Sequence, residues 1–134
     1  MSATTTLALV LVGLCTYYDP ATAGEGFYRS GEAVSKTDPT GIVAVDTSMW
    51  AELAGATLYV CTPSACGTYR VADSGYLYDA GRFRYDPERG YHRRSTDRRS
   101  SRVVLDFPRE AFRHLSPDLE TRRVVAWLVE GGGS

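Results

Sequence analysis

Apolar and polar positions along this chain fall into short runs, without the long stripes that helical bundles need. "TTTLALVLVGLCTYY" (4–18) is apolar, β-branched and aromatic with no helix cap, so it predicts a first strand from Thr4 to Tyr18, bent at Gly13. "GIVAVD" (41–46) predicts a buried strand ending in an aspartate. In the following "TSMWAELAG", Thr47 or Ser48 is placed to cap a short helix that Gly55 stops. "ATLYVC" and "CGTYRVAD" stand on either side of "TPSA" as the arms of a hairpin do. "RVVLDF" (102–107) and "RRVVAWLVE" (122–130) complete the strands. Between them, "PREAFRHLSP" puts Phe112 and Leu115 on one face of a short helix opened by Pro108.

The remaining segments are polar. Residues 27–39 carry the turn signals "RSGE" and "TDPTG" and predict a loop over one end of the fold. Residues 75–102 hold eight arginines, four tyrosines and few aliphatics, so the core does not run through them and they form a long Arg-rich loop insertion. Several short strands, one or two short helices and no repeat predict an all-β fold, a small closed barrel, with an open α+β sheet as the alternative. At 134 residues there is room for one domain, taken as 1–130, with "GGGS" (131–134) as a linker-like tail.

Charge and cysteine usage narrow the function classes. A net charge of −1 lacks the basic balance of a nucleic-acid binder, so no nucleic acid is expected as a partner. The apolar run Leu7 to Leu14 is shorter than the ~20 residues of an integral membrane span. It also lacks a signal peptide's charged start and cleavage site, and Leu14 stands where a lipoprotein signal ahead of Cys15 wants a small residue. Any export signal is expected to lie outside these residues. Cys61 and Cys66 flank the predicted hairpin loop, where a disulfide is geometrically plausible and would suit an oxidising compartment; two free thiols on neighbouring strands are the alternative. Cys15 is expected to be a small buried apolar residue. His92 and His114 lack ligand-like companions, so no metal is expected, and no nucleotide-binding or other cofactor motif occurs.

The candidate chemistry lies in three aspartates that share one context. Asp46 ends "GIVAVD", Asp73 ends "YRVAD", and Asp106 sits in "VVLDF", so β-rich runs deliver all three carboxylates. Each also has a bland role as a turn former or strand-end acceptor. Of Tyr17 and Tyr18 at the end of the first strand, alternation sends one ring inward and one outward; Tyr18 is a candidate ligand platform, with an ordinary barrel aromatic as the alternative, and Arg70, Ser74 and Gly75 border Asp73 as candidate substrate contacts. Arg82, Arg84, Arg93, Arg94, Arg98 and Arg99, interleaved with Tyr78, Tyr85 and Tyr91, either grip an anionic ligand or form a solvated surface.

"GIVAVDTSMWAELAGATLYV", "YRVADSG" and "VVLDFPREAFRHL", in that order, resemble the double-psi β-barrel of three-aspartate domains, while "GLCTYYDP" and "SGE" are similar to rare lipoprotein A-like domains. The resemblance covers residues 13–129 and extends to expansin-like barrels. It implies a six-stranded double-psi barrel with a shallow groove for peptidoglycan or another polysaccharide. It implies a secreted, periplasmic or cell-envelope location and, in the enzymatic members, metal-independent lytic transglycosylase activity on the MurNAc–GlcNAc bond. Carried over by position, Asp73 matches the catalytic acid, with Asp46 and Asp106 as helpers. Such an acid must keep its proton near neutral pH; it protonates the glycosidic oxygen, then accepts the proton of the sugar's own 6-hydroxyl as that oxygen attacks the anomeric carbon. The competing class is a non-catalytic expansin-like barrel that binds carbohydrate or protein. Two departures bear on activity: residues 75–102 replace the family's short Gly-rich, lysine-containing link, and Asp46 stands where the rare lipoprotein A-like branch has a histidine.

Overall fold

In a computed structural model, residues 6–20, 26–77, 83–86, 90–93 and 103–130 are described. In chain order the elements are β1 (Thr6–Tyr18), β2 (Ile42–Asp46), α1 (Trp50–Leu53), β3 (Thr57–Cys61), β4 (Cys66–Gly75), β5 (Phe83–Asp86), β6 (Gly90–Arg93), β7 (Val103–Pro108), α2 (Arg109–Leu115) and β8 (Arg122–Glu130). Six strands close a barrel in the order β1-β7-β2-β4-β3-β8. β1 and β7 run parallel, as do β2 and β4, and the other four contacts are antiparallel. This mixed closed ring is the six-stranded barrel that the resemblance implies, and closure leaves no free edge to its sheet.

Burial follows the two-residue period of the strands. In β3, Leu58 and Val60 are fully buried while Thr57, Tyr59 and Cys61 face outward. Val43 and Val45, Val71, Leu105 and Val124 join them inside, each contributing about 1.5–3 kcal/mol by leaving water. One end of this core is plugged by α2, whose Ala111, Phe112 and Leu115 are buried. The Phe112 ring lies 6.1 Å from that of Phe107, which meets Tyr69 edge-on at 5.0 Å.

The disulfide forms between Cys61 and Cys66 at the base of the β3–β4 turn. Beside it, the Thr62 hydroxyl donates to the Leu115 carbonyl at 2.6 Å and ties the hairpin to the end of α2. Cys15 is a free thiol with no exposure.

Several local expectations change. The α1 region is capped by neither Thr47 nor Ser48: Asp46 accepts from the Ser48 N–H at 3.0 Å, starting a 3-10 turn (Thr47–Met49) that leads into α1. A carboxylate one residue earlier reaches the orphan donor, and Gly55, at φ 74°, ends the turn as expected. Gly13 stays in register with Val124, and the register shifts of β1 lie to either side of it, at Leu9/Leu11 and Leu14/Cys15. Within the insertion, β5 and β6 pair as a two-stranded sheet, Phe83 opposite Arg93 and Asp86 opposite Gly90, separate from the barrel. Arg82, Arg94, Arg98, Arg99, Tyr78 and the tail 131–134 lie outside the described residues.

Candidate functional site

Pairing register builds the site. At one level of the barrel wall Ala44 of β2 is paired on one side with Asp73 of β4 and on the other with Asp106 of β7. Asp106 is in turn paired with Thr16 of β1. Paired residues of neighbouring strands point to the same face. The row Thr16, Asp106, Ala44, Asp73 therefore crosses four strands on the outer surface, with the methyl of Ala44 as a low floor between two acids. Two strand spacings separate the acids' backbones by roughly 10 Å.

A bulge makes this possible. Along β4, Tyr69 and Val71 point into the core, and strict alternation would send Asp73 after them. Val43 pairs with Val71 but Ala44 pairs with Asp73, so Ala72 is an extra residue in β4. It packs instead with Tyr28 and Ile42 in a separate small cluster, and Asp73 comes out beside Ala44. Another shift sits between β1 and β7, where Leu14 pairs with Val103 and Cys15 with Leu105, passing over Val104 just before Asp106.

The result is a hollow of about 220 Å³ lined by Tyr18, Ala44, Asp73, Ser74, Gly75, Leu77 and Asp106. Asp73 is 9 % exposed, and its Oδ1 accepts from the backbone N–H of Arg29 at 3.0 Å. The loop bearing Arg29 is fastened to the same strand, because the N–H of Ser30 donates to the Ala72 carbonyl at 3.0 Å. Asp106 Oδ1 accepts from the Thr16 hydroxyl at 2.9 Å. Burial pushes the Asp106 carboxyl up to about 6, the nearby Asp73 charge adding to the rise and the Thr16 hydrogen bond opposing it. Asp106 can thus hold a proton at mildly acidic to near-neutral pH.

The other sequence candidates divide. Tyr18, Ser74 and Gly75 line the hollow with Asp73 and Asp106. Asp46 lies outside the lining at the end of β2, opposite Gly75, with its carboxylate engaged as the cap of the 3-10 turn. Arg70 also stands apart, both arms of its guanidinium held by Glu32. Tyr17, the half-exposed neighbour of Tyr18 on the other face of β1, is covered on one side by Phe112, centroids 5.4 Å apart.

Sequence reasoning missed Thr16, Ala44, Leu77 and Arg29. Thr16 carried a usable signal as the residue two before Tyr18 in the same strand; Ala44 and Arg29 are identified only by the pairing of distant strands and loops. Among the described residues no group of three or more His, Cys, Asp or Glu side chains gathers as a metal cage. No helix among them is long and apolar enough to cross a membrane.

No family model and no curated protein matches this chain. Among solved structures, the barrel is similar to the apo expansin of Clavibacter michiganensis (TM-score 0.58, 20 % identity, 98 % of this chain and 53 % of that one). It is similar also to an Asp-to-Asn variant of the C. michiganensis expansin in complex with cellohexaose (TM-score 0.59, 20 % identity, 98 % and 53 %). A third is the Streptomyces papain inhibitor (TM-score 0.52, 18 % identity, 94 % of each chain). The chain thus spans about half the length of the expansin structures and nearly all of the inhibitor. At these identities the likeness is one of fold.

Proposed function

We propose that this chain is a polysaccharide-binding barrel whose hollow holds a sugar between Asp73 and Asp106. The observation that carries this reading is the placement of two carboxylates on either side of Ala44 in one open depression. Ionised carboxylates accept hydrogen bonds from sugar hydroxyls, and Tyr18 offers an aromatic surface with a polar tip. A related barrel with bound cellohexaose supports a glycan as the ligand class. The Cys61–Cys66 disulfide supports an oxidising, extracytoplasmic setting, where cell-wall polysaccharide, peptidoglycan included, is the available partner.

A second reading, lytic transglycosylase, is favoured by one feature, the raised pKa of Asp106. In that chemistry the Asp106 proton passes to the glycosidic oxygen as the bond from the anomeric carbon breaks. The 6-hydroxyl oxygen of the same sugar bonds to that carbon, and its proton returns to the Asp106 carboxylate. The proton-holding role, which the sequence resemblance places on Asp73, falls in this reading to Asp106, with Asp73 as a hydrogen-bond acceptor.

The two are separated by incubating the chain with insoluble cellulose and with peptidoglycan, scoring retention and analysing the supernatant by mass spectrometry. Retention without soluble products is expected, and Ala44→Leu, which fills the floor between the acids, is expected to abolish it. Anhydro-muropeptides that disappear in Asp106→Asn would establish the enzyme instead. Absence of both retention and products would remove both readings.

A further inference from the structure

We infer that Arg29 selects acidic polysaccharide: its guanidinium receives a carboxylate carried by the sugar unit next to the one held between Asp73 and Asp106. This rests on the glycan-binding reading above and adds the substrate class.

Arg29 is tied to the hollow twice. Its backbone N–H donates to Asp73 Oδ1 at 3.0 Å, and its Nη1 donates to the hydroxyl of Ser74, another lining residue, at 2.8 Å. The guanidinium carbon stands 5.2 Å from the centre of the Trp50 ring, which supports the planar group from one side. The side chain is therefore aimed at the rim while Arg29 itself remains exposed.

Its charge is not spent elsewhere. Among the described residues no carboxylate pairs with the Arg29 guanidinium, whose neighbours are the Ser74 hydroxyl and the Trp50 ring, whereas Arg70 is held by Glu32 and Arg122 by Asp118. A guanidinium has five N–H donors in a rigid fork that fits a carboxylate in two parallel hydrogen bonds, so most of its donor capacity is open to a ligand. The hollow itself carries the opposite charge. An acidic group placed between Asp73 and Asp106 meets two carboxylates, while one at the rim meets a cation, so the glycan is set with hydroxyls inward and its acid at Arg29.

The test is calorimetric titration of the full chain, at low ionic strength, with two oligosaccharides of one β-1,4 backbone: glucose units, and glucuronic acid units. Stem-peptide-free peptidoglycan strands form a third arm, separating a lactyl carboxylate from a uronic acid as its source. Wild type is expected to bind at least one acidic ligand about tenfold more tightly than the neutral one. This preference should shrink as salt is added. In Arg29→Gln the ratio is expected to fall towards one, and in Arg29→Lys, which keeps the charge and loses the fork, to an intermediate value. Equal wild-type affinity for acidic and neutral ligands overturns the inference alone, as does an Arg29→Gln protein that keeps the preference. Failure of wild type to bind any of the three overturns the glycan-binding reading, and this inference with it.

Discussion

Asp106 is the residue where stability and function pull apart. Burial and the neighbouring Asp73 charge outweigh the Thr16 hydrogen bond and leave the folded carboxyl titrating at about 6. In the unfolded chain an aspartate titrates near ~3.9. The native state therefore holds the extra proton between these values, so stability falls as pH rises through the window and levels off above it. Asn is neutral at every pH and its Oδ1 can still accept from Thr16. Asp106→Asn is thus expected to be more stable than wild type at pH 7 by about 1–3 kcal/mol, discounted for partial exposure. The gap should close near pH 4, as read from urea unfolding at both pH values. Greater stability together with lost glycan retention would identify an acid kept for its site.

At the level of elements, α2 shows what a local pattern can and cannot convey. Phe112 and Leu115 stand three apart in the sequence, so their common buried face was legible, and Phe112 now touches both Phe107 and Tyr17. Phe112→Ala is expected to cost about 3–5 kcal/mol, measured by thermal or urea unfolding. The barrel's strands, the Cys61–Cys66 hairpin and the buried Cys15 were equally legible, because each is set by residues near one another in the chain, whereas β5 and β6 fall in a segment read as loop. The cap at Asp46 was not: read as a strand end, its carboxylate was left out of the competition for the donor at Ser48. The offsets at Ala72 and Val104 were hidden for a deeper reason. A bulge is defined against the opposite strand, and one strand's own alternation does not reveal its partner.

On the scale of the molecule, the site belongs to topology. Asp73 and Asp106 are near each other because β2, early in the sequence, lies between β4 and β7, a non-sequential order that no local window contains. The resemblance implied six strands and a shared groove but no strand order, and the residues alone gave three acids in similar local settings. The same map separates barrel from insertion, since among the described residues β5 and β6 pair with each other and not with a barrel strand. Replacing residues 79–101 with a short glycine link is expected to leave one cooperative unfolding transition, its midpoint within a few degrees of wild type. Differential scanning calorimetry checks this, and a collapse in midpoint would mean that the insertion braces the barrel. A last consequence belongs to the extra residue at position 72. Chain length, and not side-chain chemistry, governs which way residue 73 faces, so inserting one more alanine after Ala72 would carry the acid to the place opposite Val45, on the core face, without altering one functional group. The outward placement of that carboxylate is thus lost, and restored, by a frame change of one peptide unit in one strand.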